Sequence, residues 1–305
     1  MLAVLGIVTV FLAVFGGFLL EKGNPWVLFQ PAELLIVGGA ALGIVLVANP
    51  PAVIRSMIRG VAATFRSAGR TREVFLVHMR MLYEVFMYSQ RAGIMQLEED
   101  VDRPSDSRLF TNYPAFLADR QACNFVCDSL RMLVLGVTTP NELDQLLDLD
   151  IEVQRRGRHE PVGALSAVAD ALPGLGIVAA VLGVVITMGA IGGAPETVGE
   201  KVAAALVGTF LGILLCYGVV GPIAARLEHL HETEAQFYQV LRVAIVSFAR
   251  GASPILAVEY ARRSIPEELR PSFSEMEISI RREAKVPSVA KPGEPEASHA
   301  ESQPA

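Results

Sequence analysis

Residues 171–195 contain no Asp, Glu, Lys or Arg, and neither do residues 1–20, 34–54 or 202–225. A helix crosses a bilayer core of about 30 Å with roughly 20 residues, so each run is long enough to span one. A buried helix of a soluble protein can reach this length, but four such runs in two close pairs point to the membrane. The whole chain is 52% hydrophobic and only 19% charged, and its mean hydropathy is positive. A soluble domain carries about 25% charged residues. The expected fold is an all-α membrane protein with four transmembrane helices.

Basic residues set the orientation, because loops rich in Lys and Arg stay in the cytoplasm. Residues 52–168 hold 14 Arg and no Lys, and residues 226–305 hold ten Lys or Arg. The two short connectors hold Lys22 and Lys201 alone. The net charge of −6 does not enter, since acidic residues contribute little to topology. The expected order begins with transmembrane helix 1 (1–21), a periplasmic connector (22–33) and helix 2 (34–51). A cytoplasmic helical domain (52–168) follows, then helix 3 (169–193), a second periplasmic connector (194–201) and helix 4 (202–225). A cytoplasmic helical tail (226–284) and a disordered tail (285–305) complete it. The N-terminus, the middle domain and the C-terminal tail are expected to be cytoplasmic. The first run lacks the basic flank and the small-residue cleavage site of a signal peptide, so it is expected to be retained. Residues 285–305 are rich in Pro, Ser, Glu and Ala, with too few large apolar side chains to offset the entropy of ordering.

Between the second and third runs, Phe75, Met79, Leu82 and Phe86 recur at helical spacing. Phe125, Leu130, Leu133 and Leu135 follow a looser version of the pattern. Breakers cluster at 103–107 and 138–141, and Thr139-Pro140-Asn141-Glu142 reads as a helix start. Asn49-Pro50-Pro51 ends helix 2 or starts another helix. Trp26, the single tryptophan, sits just outside a span, where interface anchors lie. After Pro222 an amphipathic helix is expected to reach about Gly251, and Ser253-Pro254 to open another over 255–264. No alternating strand pattern occurs.

Chemistry is sparse. There is no Gly-x-x-x-x-Gly-Lys-Ser/Thr and no Gly-x-Ser-x-Gly, and Gly174-x-Gly176 lacks a third glycine and a preceding strand. Cys123 and Cys127 lie one helical turn apart with no His nearby, the pattern of small buried thiols in reduced cytoplasm. Cys216, inside the fourth run, reads as a packing residue. Of the five histidines, His229 and His231 are too close to share a helix face. No metal site, cofactor, enzymatic activity or nucleic-acid partner is expected.

The third and fourth runs offer small residues instead: Gly174, Gly176, Ala179, Ala180 and Gly183 on one, Gly208 and Gly212 on the other. In lipid, small residues let helix backbones approach closely, either within one subunit or against helices of other chains, and both readings stay open. Thr187 and Thr209 are the main polar side chains of this pair. A threonine hydroxyl can satisfy itself on the i−4 carbonyl, and gains a functional meaning only where its helix lines a hydrated path. Asp170 lies at the inner mouth of helix 3, as a water-accessible acid or as that helix's N-cap. An ion path through lipid needs a group that can carry charge, which is costly at mid-bilayer. These runs have no carboxylate there, so if the chain moves ions a partner must supply one.

Asp170-Ala-Leu-Pro173-Gly-Leu-Gly176-Ile-Val-Ala-Ala180-Val-Leu-Gly183, Val207-Gly-Thr209-Phe-Leu-Gly212-Ile-Leu-Leu-Cys-Tyr217-Gly, Gly221-Pro222 and, in the tail, Arg270-Pro-Ser-Phe273 resemble the MotA family of flagellar stator subunits. The likeness covers nearly the whole chain. It implies a homopentameric ring in the lipid bilayer of the bacterial inner membrane, around a MotB dimer. MotB supplies the ion-binding aspartate and a peptidoglycan anchor, and ion flow turns the ring against the rotor protein FliG. No cofactor is implied. The transmembrane proton gradient drives the cycle, and one charge crossing about 100 mV releases roughly 2.3 kcal/mol.

The resemblance also implies an ion-path and coupling set of Asp170, Pro173, Ala180, Thr209, Tyr217 and Pro222. Sodium-driven relatives tend to carry a threonine where this chain has Ala180. Sodium needs several oxygen ligands, so the missing hydroxyl points to protons. For rotor contact the resemblance implies Glu98 and a basic residue. Gln90 stands at the expected basic place and Arg91 follows it. The alternative is a proton-driven energiser of outer-membrane processes of the ExbB or TolQ type, but those relatives usually have three spans and lack the first pair. A self-contained transporter would need charges or broken helices inside its own spans.

Overall fold

The computed structural model describes residues 2–66, 69–189, 191–192 and 194–282. The expected disordered tail, 285–305, lies outside them. Among the described residues there are helices and no strands. In order they are α1 (Leu2–Leu20), α2 (Pro31–Ala48), α3 (Pro51–Arg66), α4 (Arg72–Ala92), α5 (Glu98–Asp102), α6 (Pro114–Ala118), α7 (Arg120–Leu135), α8 (Pro140–Met188), α9 (Pro195–Leu215), α10 (Gly221–Ala249), α11 (Pro254–Arg263) and α12 (Phe273–Arg282). A π-helical segment, Cys216–Val220, joins α9 to α10. Among the described residues four stretches are long and apolar enough to cross a membrane: α1, Pro25–Ala48, α8 and Pro195–Ala249. The chain forms two compact units, one of Met1–Arg70 with Leu149–Gln236, the other of Thr71–Asp148 with Phe237–Ala305.

Local sequence explains where the helices of the first unit begin and end. Pro31 and Pro195 occupy the first helical position, where a missing N–H is no loss. Because α2 opens at Pro31, it takes in Glu33, which the expected span from residue 34 leaves out. At its other end the Asn49 side chain donates to the Val45 carbonyl at 3.1 Å, and Pro51 opens α3. Two apolar clusters hold this unit. Val37, Ala41, Ala169, Leu172, Ala179 and Cys216 form one, and Val162, Leu165, Ala224 and Leu227 the other. Beyond the uncharged runs, Arg70 grips Glu234 through two nitrogens at 2.7 and 2.6 Å.

α8 starts on a reciprocal cap. The Thr139 N–H donates to Glu142 Oε2 at 2.7 Å and the Glu142 N–H to Thr139 Oγ1 at 3.3 Å. The helix that carries the third run begins at Pro140, well before the run itself. Asp170 lies inside that helix, so the N-cap reading is corrected: it caps nothing. It is exposed.

The second unit is packed by rings. Phe75, Met79, Leu82 and Phe86 are each at most 1% exposed. Phe86 stacks on Phe248 at 4.3 Å, and the His78 ring meets Phe237 edge-on at 4.8 Å. Of the looser set, Phe125 and Leu130 are buried but Leu135 is 57% exposed, because Gly136, at φ 63, ends α7 there in a left-handed turn. Cys123 and Cys127 are free and buried. The tail motif Pro271-Ser272-Phe273 starts α12 through a second reciprocal cap, in which the Ser272 N–H donates to Glu275 at 2.7 Å and the Glu275 N–H to the Ser272 hydroxyl at 3.2 Å. In α11, Arg262 and Arg263 close on Glu259 at 2.7 and 2.8 Å. Their hydrogen bonds, that of Arg262 first, hold its carboxyl down at about 2.

Candidate ion-path site

α8 and α9 meet backbone to backbone. A Cβ on Gly176 would lie 2.8 Å from the Gly208 carbonyl oxygen and 3.2 Å from Gly212 Cα. One on Gly212 would lie 2.5 Å from the Leu172 carbonyl oxygen, and one on Gly183 2.6 Å from Ala205 Cβ. These glycines are used within the chain. Gly174 is different: a Cβ there would meet nothing within 4 Å. The two readings of the small residues thus divide by position, and among these glycines Gly174 remains open to another chain.

The two threonines also differ. The Thr187 hydroxyl donates to the Gly183 carbonyl of its own helix at 2.8 Å. The Thr209 hydroxyl reaches across to the Gly176 carbonyl at 3.5 Å, the weak end of the hydrogen-bond range. It is therefore held loosely within the crossing. Ala180 stands at the same level, because its backbone nitrogen lies 3.3 Å from where a Gly208 Cβ would sit.

Asp170, Pro173 and Tyr217 belong to a second level. Each adjoins in sequence a member of the cluster formed by Ala169, Leu172 and Cys216. Pro173 lies inside α8, where its missing N–H leaves the Ala169 carbonyl without a helical donor. Pro222 lies one step further, after Val220, which packs on both apolar clusters. Proline in a helix clashes with the carbonyl four residues back, and the π segment before Pro222 relieves this. There the Gly221 N–H donates to Cys216, five residues back. Tyr217 is 73% exposed on this segment, whereas a Cβ on Gly218 would lie 2.9 Å from the Val10 side chain of α1. The six expected site residues are thus arranged along the helix pair and do not share one pocket.

The two residues expected at the rotor lie in the other unit. Gly93, at φ 93 and ψ 146, takes a backbone conformation that only glycine adopts readily, and it separates Arg91 at the end of α4 from Glu98 at the start of α5. Both side chains are exposed. Near them, Asp100 is half-buried. Burial pushes its carboxyl up, the Ser107 hydroxyl opposes this, and the charge of Glu99 adds to the rise.

The chain is similar to known proteins. The motility protein A N-terminal family model matches residues 4–93, and that of the MotA/TolQ/ExbB proton channel family matches residues 118–239. Motility protein A of Escherichia coli (strain K12) is 36% identical over 281 residues, 92% of this chain and 95% of its own length. The chain belongs to the motility protein A family. Chemotaxis protein LafT of Vibrio parahaemolyticus is 34% identical over 90% of this chain and 96% of its own. The structure of C. jejuni MotAB matches the fold with a TM-score of 0.74 at 19% identity, covering 89% of this chain and 98% of that one.

Motility protein A is thus a better fit than the outer-membrane energisers, because the N-terminal model spans α1, α2 and α3, the part that those relatives usually lack. Membership makes the chain a multi-pass inner-membrane protein and a flagellar stator proton-channel subunit, a non-enzymatic kind of protein. One residue of this motility protein A fold escaped the sequence reading. Glu33 is only 6% exposed, and its Oε2 lies 2.6 Å from the position of a Gly208 Cβ. Ala179 and Ala180, at the same spot, are about midway along the uncharged part of α8. The expected span from residue 34 leaves this acid out, whereas the structure has it in the first turn of α2, buried against α9. The signal was present in Pro31-Ala-Glu33, a first-turn signature that draws the helix start, and so the acid, inside the second span.

Proposed function

We propose that five copies of this chain form the torque-generating ring of a flagellar stator around a dimer of a MotB-type partner, and that protons drive it. The observation that carries the reading is the loosely held Thr209 hydroxyl, 3.5 Å from the Gly176 carbonyl, beside an Ala180 that offers no second oxygen. One threonine hydroxyl per subunit at that level, in place of two, leaves a sodium ion short of hydroxyl ligands, whereas a proton needs only a carboxylate and a water chain. The likeness to MotAB supports a MotB-type partner that brings the aspartate and the peptidoglycan anchor. Pro173 and the π segment before Pro222 are points where the regular hydrogen bonding of α8 and of the α9–α10 helix lapses, which is where helices bend. Bending there couples proton transfer to ring movement, while Asp170 and Tyr217 serve the inner mouth. The middle segment and the tail face the cytoplasm, where the exposed Arg91 and Glu98 meet charges on FliG. No catalytic chemistry is involved.

The test is motility of a host lacking its own stator genes, given this chain and its single-span partner. Swimming is expected in sodium-free medium and is expected to stop with a proton uncoupler. Swimming that survives the uncoupler and stops without sodium overturns the proton assignment. Reversing the charge with Glu98→Lys is expected to weaken torque while the complex assembles at its normal level. Loss of assembly would give Glu98 a folding role instead.

A further inference from the structure

Among the described residues Glu33 is the one acid buried within a span. Its side chain is directed into the helix packing, and its Oε2 is buried without a hydrogen-bond partner. It fills the notch left by the missing side chain of Gly208, where a Cβ would also lie 2.9 Å from Ala179 Cβ and 3.3 Å from the Ala180 nitrogen. Thr209 is the next residue. Charged groups on the elements packed around it stand at the ends of their uncharged runs: Asp170 on α8, Glu196, Glu200 and Lys201 on α9, and Arg55 and Arg59 on α3 beyond the far end of α2. Nothing in the notch compensates a negative charge. An unpaired carboxylate there costs several kcal/mol, far more than a neutral acid. The first turn of α2 offers the opposite environment. Its backbone N–H groups lack helical acceptors and favour an anion, and the side chain of Gln30, the N-cap residue, makes no cap bond to that turn.

We propose that Glu33 is a second proton-binding site, carried by this chain itself, loaded as the neutral acid in the Gly208 notch beside Ala180 and Thr209. Loading forms an O–H bond on Glu33 as one breaks in a hydronium ion from the outer side. Unloading passes the proton to water in the path, and the carboxylate swings back to the first turn of α2. The site would thus hold a proton one step before the partner's carboxylate takes it, and the inference rests on the stator reading above.

The experiment uses the complex of this chain with its single-span partner, purified with isotope-labelled glutamate and reconstituted in vesicles. Infrared spectra at neutral pH are expected to show the C=O stretch of a protonated glutamic acid. That band should vanish in Glu33→Gln and in Gly208→Ala, whose Cβ displaces the carboxyl. It should persist in Glu84→Gln, which removes the other buried glutamate among the described residues. Proton flow through the assembled Glu33→Gln complex should fall roughly a hundredfold, the low end of what a positioned proton-transfer group contributes. A wild-type complex without the band overturns the proposal. So does a band that Gly208→Ala leaves in place, a reading that holds even where Glu33→Gln fails to assemble. A conducting wild type matched by an equally conducting Glu33→Gln overturns this inference alone, whereas a wild type that conducts nothing overturns the stator reading with it.

Discussion

The two units of this chain are packed by opposite means. In the first, helix backbones approach each other directly, with a Cβ on Gly212 only 2.5 Å from a carbonyl oxygen of the neighbouring helix. In the second, the contacts are between large side chains, and Phe75, Phe86, Phe110, Phe116, Phe237 and Tyr238 are among its fully buried residues. The solvent accounts for the difference. In water, burying a large apolar side chain is worth about 1.5–3 kcal/mol, so a core grows by adding rings. In lipid the surroundings are as apolar as the side chain, and helices gain by van der Waals contact at short range. Glycine and alanine then contribute more than phenylalanine.

The comparison predicts that deletion hurts one unit and addition the other. The largest effect is expected from Phe86→Ala. It removes a fully buried ring and its stacking on Phe248 at 4.3 Å, at a cost of about 3–5 kcal/mol. Limited proteolysis of the purified full-length complex should cut the second unit much faster, while the variant still enters the membrane and still binds its partner. A variant as protease-resistant as wild type would break the comparison. Next comes Gly212→Val. Its Cβ meets backbone, which yields less than a side chain, so the cost should sit at the top of the roughly 1–3 kcal/mol range of overpacking. The level of the protein in the membrane fraction should fall. Gly174→Val, on the same helix pair but facing open space, should leave that level unchanged. Equal losses from both would show that these helices respond to bulk in general rather than to the close approach at Gly212.

Much of this was legible in the sequence, and the failures follow the same division. Uncharged runs revealed the four spans because length and charge alone decide whether a helix can cross lipid. Thr139 to Glu142 gave a true helix start because a reciprocal cap is a local event. What local pattern could not give was how far a helix continues. α8 runs from Pro140 through Pro161 and Pro173 to Met188, because each proline costs one hydrogen bond of many in a long, well-packed helix. The sequence likewise offered two uses for each small residue, and only the three-dimensional contacts assigned Gly176, Gly183, Gly208 and Gly212 to the chain's own packing. Glu33 was hidden for a different reason. Its spot opposite Gly208 depends on how α2 lies against α9, a long-range fact with no short-range signature beyond the proline that places the helix start.

The smallest predicted effect sharpens the comparison from the side of charge. The first unit keeps its spans nearly free of ions, whereas the second can use them, and Glu259 is its clearest case. Its side chain is only 15% exposed, held by Arg262, itself 12% exposed, and by the outlying Arg263. Arg262 in turn donates to the Pro271 carbonyl at 3.0 Å, so the pair also ties α11 to the segment that opens α12. The carboxyl is held at about 2, below the ordinary 4.5. Its contribution is therefore complete above pH 4.5 and is lost as pH falls from there towards 2. Because Arg263 is largely in water, the contribution is about 1 kcal/mol, the upper end for pairs near a surface. Glu259→Gln should lower the melting temperature of the second unit slightly at neutral pH, with the gap to wild type closing as pH falls through that window. A gap that stays constant across the window would mean that the glutamine disturbs packing and that the charge of Glu259 contributes nothing.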